Sequence, residues 1–269
     1  MNKSAAQDFL NQMRFAMALV VAACLLQTQS SFAQADAKKI MDGVYQQDTS
    51  RDTSLKAVLD VFDKEGKKRQ KKLIVLRLGA PGDSKTLVRF TDPPEVKGVA
   101  LLSINKHGEK DRQWLYIPAT NRARPVAPRD RSEKFAGTDF TYEDLADRMT
   151  DDFTYRILSE NESIEGHKTY KIESTPRDPA NSQYKFVYFW VAQDVPVILN
   201  AEMYDLTGKK IRTLHATTIK KANNIYGARH IEMTTVADNT KTVLTIDSAA
   251  FNKGLDEKLF TPEGLEKSQ

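Results

Sequence analysis

Apolar and polar residues alternate along most of this chain with a period of two, which is typical of half-buried β-strands. The alternating segments are rich in β-branched and aromatic residues and are separated by turn residues, as in Asp63-Lys64-Glu65-Gly66. The predicted strands are Leu55–Phe62, Lys72–Leu78, Lys85–Phe90, Val99–Asn105, Arg112–Ile117, Ala123–Val126, Phe153–Leu158, Thr169–Ser174, Tyr184–Ala192, Pro196–Tyr204, Lys210–Ile219, Ala228–Thr235 and Val243–Ala249.

Hairpin-length connections between these segments predict a mainly β protein with a single antiparallel sheet. A sheet of this length must curve, and it hides its inner face by closing into a barrel or by covering the opening with helices. Two helices are predicted, at Ala37–Gln46 and at Thr141–Met149. The first has an apolar stripe that includes Met41 and Val44. After the last strand, we expect a tail to pack on the barrel rim through Leu255, Leu259, Phe260 and Leu265.

The segment Phe135–Leu145 interrupts the β pattern near the middle of the chain. Gly137 can adopt a positive φ and turn the chain sharply. Thr141 and Asp144 resemble a capping box, with Asp in place of the usual Glu or Gln. The predicted helix has one apolar and one acidic face. It is interpreted either as a plug or lid against the sheet, or as a surface helix that caps one end of a barrel.

The N-terminal residues are typical of a secretory signal peptide. The apolar run Phe15–Leu26 is too short to span a bilayer, which needs about 20 residues, and Arg14 precedes it. Small residues offer cleavage sites after Ala35 or Ala33. We therefore expect residues 1–35 to be removed and residues 36–269 to form one domain in the periplasm.

Two alternatives remain open at the N-terminus. Translation can begin at Met1 or at Met13, because the polar stretch before Met13 is unlike a signal peptide. The sequence Val21-Ala22-Ala23-Cys24 also resembles a lipobox, which would make the protein a membrane-anchored lipoprotein through Cys24. Since Cys24 is the only cysteine, cleavage after Ala35 leaves no thiol for a disulfide or a metal site.

Charge and motifs exclude several classes of function. The chain has 40 basic and 36 acidic residues and a formal net charge of +4, a near balance that argues against a nucleic-acid partner. His107, His167, His215 and His230 are scattered, and no serine lies in a GxSxG motif. We predict neither an enzyme nor a cofactor, and we interpret the carboxylates at 143–152 as a solvated helix face rather than a metal site.

Two aromatic stretches are candidate ligand-binding elements. The strand Tyr184–Ala192 is apolar on both faces, as expected of a strand between a helix and a cavity or of one surrounded by ordinary core. Trp114 and Tyr116 lead into a proline-punctuated edge with several arginines. Those arginines suit a lipid headgroup or an acidic partner, or they protect an edge strand from aggregation. They are Arg122, Arg124, Arg129 and Arg131.

Three blocks together resemble the LolA-like outer-membrane lipoprotein-sorting proteins. They are Trp-Leu-Tyr-Ile-Pro-Ala at 114–119 with the arginines that follow, Phe-Ala-Gly-Thr-Asp-Phe-Thr-Tyr-Glu-Asp-Leu at 135–145, and Leu-Phe-Thr-Pro-Glu-Gly-Leu at 259–265. The resemblance covers essentially residues 36–269 and is most specific at 135–145. It is strongest to a branch often encoded beside large periplasm-facing exporters.

The resemblance implies an unclosed, strongly curved β-barrel with short helices over its concave apolar face. It also implies a monomeric periplasmic carrier of lipid or lipoprotein cargo, with an inner-membrane exporter and an outer-membrane acceptor as candidate partners. We expect Phe140, Tyr142 and Leu145 to form a lid over a cavity lined by Trp114, Tyr116, Phe186, Tyr188 and Trp190. The alternative function is an envelope-stress sensor or adaptor that binds a protein partner with the same fold.

Overall fold

The structure is a computed structural model that describes residues 36–267. The predicted signal peptide, both cleavage sites and the Cys24 lipobox lie outside the described residues. No helix in the described part of the chain is both long and apolar enough to cross a bilayer.

Thirteen strands form one antiparallel sheet. Helix α1 at 36–45 precedes them, and helix α2 at Pro262–Lys267 follows them. The strands are β1 Asp52–Phe62, β2 Lys68–Ala80, β3 Asp83–Asp92, β4 Ala100–Asn105, β5 Arg112–Ile117, β6 Arg122–Pro125, β7 Phe153–Ile164, β8 His167–Pro176, β9 Tyr184–Ala192, β10 Ile198–Asp205, β11 Lys210–Ala222, β12 Ile225–Thr235 and β13 Thr240–Phe251.

The strand order explains why the barrel is open. It runs β6-β5-β4-β3-β2-β1-β13-β12-β11-β10-β9-β8-β7, so β6 and β7 are the two edges and do not pair. Strands β1 to β6 lead outward to one edge, and strands β7 to β13 return from the other edge until β13 pairs with β1. The connection at 126–152, here called the central segment, joins the two edges. The prediction of a mainly β, unclosed and curved barrel is confirmed.

Each predicted strand corresponds to one observed strand. Arg112–Ile117 and Tyr184–Ala192 have the predicted bounds, and most of the others extend a few residues further. Polar residues such as Lys68 and Thr240 continue the sheet at its ends, where hydrogen bonding rather than burial maintains the strand. An apolar alternation finds only the buried part of a strand, and this is why the predicted bounds are too short.

One face of the sheet carries a continuous apolar surface, here called the inner face. Cross-strand pairs place apolar side chains in register there, including Leu59 with Leu244 and Phe189 with Ala201. Two buried clusters cover this face, one over β7 to β12 and the other over β1 to β5. The central segment contributes to both, because Phe140 packs against both clusters.

Helix α1 covers the inner face over β7 to β12, as its apolar stripe predicts. Ala37 and Met41 are fully buried in that cluster. Ile40, Val44 and Tyr45 pack around it.

The predicted helix at Thr141–Met149 is wrong. The chain makes a single turn, with the Leu145 amide donating to the Thr141 carbonyl at 3.3 Å, and is irregular from 147 to 149. The reciprocal cap does form, because Thr141 N donates to Asp144 Oδ2 at 2.8 Å and Asp144 N donates to Thr141 Oγ1 at 3.3 Å. Glu143 and Asp144, which were expected on a solvated face, instead bind Gln183, just before β9, and Arg212 of β11.

The C-terminal tail packs on the opposite, outer face of the sheet rather than on a rim. Phe260 and Leu265 are fully buried against Leu87, Leu102 and Tyr116. The predicted contacts Leu255 and Leu259 also join this cluster. The sheet is therefore covered on both faces over β3 to β6.

Candidate functional site

An apolar cavity of about 430 Å³ lies between α1, the central segment and the inner face of β9 to β12. Its volume falls within the range of small-molecule sites, about 300–1,000 Å³. Its sheet wall consists of Val187, Phe189, Ile198, Met203, Leu214, Ala216, Ala228, Ile231 and Met233. Val44 and Tyr45 line it from α1. The central segment lines it with Phe140, Glu143, Asp144, Ala146, Asp147 and Arg148.

The alternation of the strands positions this wall. Leu214 lies opposite Met233, and Ala216 lies opposite Ile231, so that four inner-face side chains adjoin across β11 and β12. The small Ala216 and the two flexible methionines, Met203 and Met233, lie where larger rigid side chains would fill the space. Methionine suits a site that must adapt to its contents.

Helix α1 covers the cavity and is held by polar contacts at both of its ends. Gln47, just after the helix, donates to the Pro196 carbonyl at 3.1 Å and accepts from the Tyr226 amide at 2.8 Å. Asp42 accepts from the Thr150 hydroxyl at 2.5 Å, and Lys38 pairs with Asp151 at 3.0 Å. These contacts tie α1 to the loop before β10, to β12 and to the residues just before β7.

Asp139 fixes the central segment to β12 and β13. This buried carboxylate, 1% exposed, accepts hydrogen bonds from the hydroxyls of Thr235 at 2.6 Å, Thr240 at 2.5 Å and Thr242 at 2.9 Å, and pairs with Lys134 at 3.0 Å. Burial raises the pKa of Asp139, but the hydrogen bonds outweigh it and hold the pKa below its usual value. The charged form is therefore the one that the fold stabilises.

The backbone around Asp139 makes that contact possible. Lys134 and Thr141 form an isolated antiparallel bridge, and the Phe135 amide donates to the Phe140 carbonyl at 2.8 Å. Within this loop Gly137 has a φ of +69°, as predicted. The loop directs Asp139 toward the sheet while Phe135 packs on Phe90, with ring centroids 5.4 Å apart. The most specific block of the sequence resemblance is thus a structural loop.

A second buried ion pair fixes the next turn. Arg212 of β11 contacts Asp144 at 2.6 Å, with both side chains less than a tenth exposed. The Tyr184 hydroxyl donates to the same carboxylate at 2.7 Å. Burial and the adjacent Asp144 charge raise the pKa of Tyr184 well above its usual value, so the phenol stays protonated and remains a donor.

The other half of the sheet also binds the central segment. Gln113 of β5 donates to the Tyr142 carbonyl at 2.8 Å, and Lys71 of β2 donates to the Ala136 carbonyl at 2.5 Å. Arg131 pairs with Asp111 at the start of the segment. Residues 131–145 therefore contact both halves of the sheet.

The predicted lid residues all lie on the inner face, in different surroundings. Phe140 lines the cavity. Tyr142 and Leu145 pack in the cluster over β1 to β5, next to Phe135, and are not among the residues that line the cavity.

The predicted lining residues lie on the outer face instead. Trp114 and Tyr116 pack under the C-terminal tail with Phe260 and Leu265.

On β9, the predicted lining residues Phe186 and Tyr188 form an aromatic group with Tyr204. Trp190 donates to Glu162 at 2.6 Å, and Lys171 lies over its ring. The neighbouring residues Val187 and Phe189 line the cavity instead. On β9 the predicted lining residues therefore differ from the observed ones by a shift of one position.

The four arginines do not form one group. Arg122 and Arg124 are exposed on the edge strand β6. Arg129 is exposed and contacts Asp130, whereas Arg131 is partly buried in its pair with Asp111. An exposed headgroup or partner surface here would therefore consist of Arg122, Arg124 and Arg129.

Sequence reasoning missed three groups of the cavity: Arg148, Tyr45 as a lining residue, and the Met203 and Met233 pair. The stripe on α1 marked Tyr45 as buried, and alternation on β10 and β12 could have found the methionines. Nothing local marked Arg148, because its neighbours Phe153, Ser174 and Phe189 lie on three different strands.

Comparison with known proteins identifies the class to which this fold and cavity belong. An outer-membrane lipoprotein-sorting protein domain from Vibrio parahaemolyticus is 25% identical, with a TM-score of 0.81 over 87% of this chain and 100% of that one. A DUF1329 family protein from Desulfovibrio piger is 23% identical, with a TM-score of 0.80 over 87% and 99%. A LolA superfamily protein from Nitrosomonas europaea is 20% identical, with a TM-score of 0.67 over 86% and 98%.

The fold is thus that of the LolA-like outer-membrane lipoprotein-sorting proteins, and the resemblance seen in the sequence is confirmed. A family model described as "uncharacterized protein" matches residues 82–267, and the chain belongs to that family. No curated protein sequence matches the chain.

Proposed function

We propose that residues 36–269 are one domain that acts in the periplasm, after removal of residues 1–35, as a carrier of a lipid or an acylated protein between membranes. The cavity under α1 holds the acyl chain. An inner-membrane exporter and an outer-membrane acceptor are the partners that such a carrier requires. The carrier fold of the similar solved structures and the apolar cavity support this proposal.

The single observation that carries the proposal is the apolar wall at β9 to β12, which helix α1 covers. Burying an acyl chain contributes about 0.8 kcal/mol per CH₂, or roughly 12 kcal/mol for sixteen carbons before ordering costs. A carrier must offset part of this energy in order to release its cargo. Helix α1 does so, because Val44 and Tyr45 cover the wall when the cavity is empty and must lose contacts there on loading.

This assigns the role of the competing cover to α1, with Phe140 as the contribution of the central segment. Residues 131–145 stay in place during loading, since they are fixed to both halves of the sheet. Phe140 is the predicted lid residue with a direct contact to cargo. Tyr142 and Leu145 support it from the adjacent cluster.

Filling the cavity tests the proposal. Ala216 is 2% exposed and lines the cavity wall, so Ala216→Phe places a ring in the space reserved for cargo. We expect the wild type to take up the neutral dye 1-N-phenylnaphthylamine and a fluorescent fatty acid, and the variant to bind both at least tenfold more weakly. Thr213→Phe adds the same ring to the outer face of the same strand and should leave uptake unchanged. Uptake by Ala216→Phe equal to that of the wild type contradicts the assignment of the cavity.

A further inference from the structure

Arg148 lies where the apolar cavity meets a second, polar cleft. The cleft has a volume of about 410 Å³ and lies beside the turn between β4 and β5 and the loop between β8 and β9. Arg148 lines both spaces, together with Glu143, Ala146 and Asp147. A ligand with an apolar tail in the cavity would therefore place its head beside this guanidinium.

The guanidinium is held in a fixed orientation. Its central carbon lies 3.5 Å from the ring centroid of Phe153 and 5.1 Å from that of Phe189. One terminal nitrogen donates to Ser174 Oγ at 2.6 Å. Stacking on aromatic faces is a favourable arrangement for arginine and fixes the plane of its fork.

Within residues 36–267, no carboxylate pairs with Arg148, and its buried Nε has no hydrogen-bond partner. The acidic residues on the same wall are committed elsewhere. Glu143 accepts from Ser182 and Gln183, and Asp144 pairs with Arg212. Asp147 accepts from the Ser84 hydroxyl. A partly buried cation without a counter-charge is costly, and a bound anion would offset that cost.

Two phenols extend the same polar group. The Tyr155 hydroxyl is buried and makes no hydrogen bond within the described residues. Burial raises the pKa of Tyr45 to about 12, against the influence of the Arg148 charge, so its hydroxyl is a neutral donor at physiological pH. A cation beside neutral hydroxyl donors is the chemistry of an anion site, because both groups donate and neither repels negative charge.

We propose that Arg148 binds the anionic head of an acyl-chain ligand, a carboxylate or a phosphate, while the tail occupies the cavity. The proposal rests on the carrier function above and narrows its cargo to anionic amphiphiles. The planar fork of arginine matches two oxygens of either head in a bidentate pair. It also gives the bound chain a direction, with its head at the cleft.

Displacement of 1-N-phenylnaphthylamine by three probes with the same tail tests this assignment: hexadecanoic acid, hexadecyl phosphate and hexadecanol. We expect one or both anionic probes to displace the dye from the wild type at concentrations at least tenfold lower than hexadecanol does. Comparison of the acid with the phosphate then separates a fatty-acid ligand from a phospholipid ligand. The Arg148→Gln variant should lose the preference while it still binds hexadecanol, and Arg148→Lys should retain part of it.

The edge arginine supplies a matched control, because Arg124→Gln removes the same charge from an exposed position and should leave the preference unchanged. Loss of the preference in Arg124→Gln but not in Arg148→Gln would move the head site to the edge strand. Equal displacement by all three probes overturns the head assignment and leaves the carrier function standing. A wild type that takes up neither dye nor probe overturns both. If Arg148→Gln does not fold, the head assignment is tested by the preference of the wild type for anionic probes and by the change of that preference in Arg148→Lys.

Discussion

Asp139 of the central segment accepts hydrogen bonds from four side chains, and Asp139→Asn tests how the segment is held. The native carboxylate accepts from three threonine hydroxyls and from Lys134. Asparagine has nearly the same shape but only one acceptor oxygen, and its amide group turns donors toward the hydroxyls of the sheet. The variant thus removes charge and acceptors with little change in volume.

The expected loss of stability follows from these contacts. Hydrogen bonds to charged groups contribute about 1.5–3 kcal/mol each, and removing one partner of a buried charge pair costs about 3–5 kcal/mol. Threonine hydroxyls can reorient and asparagine retains one acceptor, so we expect Asp139→Asn to lower the free energy of unfolding by about 2–4 kcal/mol.

The effect should depend on pH with a definite sign. The folded-state pKa of Asp139 lies below the unfolded value, which is about 3.9. The stabilisation by Asp139 is therefore fully present above the unfolded pKa and is lost as the pH falls through the lower folded-state pKa. The difference in stability between wild type and variant should be constant near neutral pH and shrink below about pH 4.

Urea unfolding followed by tryptophan fluorescence gives the difference in free energy, and hydrogen exchange shows where it acts. We expect faster exchange at 133–145 than elsewhere in the variant. Asp205→Asn is the matched control, since Asp205 caps an exposed hairpin turn and its pKa is also lowered; its effect on stability should be small. A loss equally small for Asp139→Asn, or unchanged exchange at 133–145, refutes the view that Asp139 fixes the central segment.

Two further substitutions test separately the roles of α1, which covers the cavity, and of the C-terminal tail, which covers the outer face. Gln47→Ala removes both hydrogen bonds that tie the end of α1 to the sheet, and we expect dye uptake and release to become at least threefold faster in stopped-flow fluorescence; unchanged rates would show that α1 does not control access. Leu265→Ala truncates a fully buried side chain on the outer face and should cost about 2–5 kcal/mol in urea unfolding, with dye affinity unchanged. A large change in affinity for that variant would mean that the outer face takes part in binding.

Alternation of apolar and polar residues was enough to predict the strands and a single curved antiparallel sheet, and the apolar stripe at 37–46 predicted α1. That the barrel stays open was implied only by the family resemblance. It could not decide which face of a strand points inward where both faces are apolar, since a shift of one residue exchanges them. On β9 both sets of side chains are large, and only pairing with Ala201 and Met203 places Val187 and Phe189 inside. Tyr116 is buried and Trp114 is partly buried, but both pack under the C-terminal tail on the other face.

The prediction of a central helix was wrong because the segment makes tertiary ion pairs and hydrogen bonds. The capping residues Thr141 and Asp144 do start a helical turn. Local spacing could not reveal that Arg212, 68 residues away in sequence, pairs with Asp144, or that Ser182 and Gln183 bind Glu143. Arg148 was unpredictable for the same reason, because its surroundings exist only once β7, β8 and β9 are paired.

Native mass spectrometry, followed by lipid extraction, tests the central claim most directly when it is applied to the protein purified without detergent from the cells that produce it. The carrier account predicts a bound species whose mass matches a lipid or an acylated peptide, and a lower occupancy in Ala216→Phe. A protein that is empty, and that co-purifies instead with a membrane protein, would contradict the account and favour an adaptor.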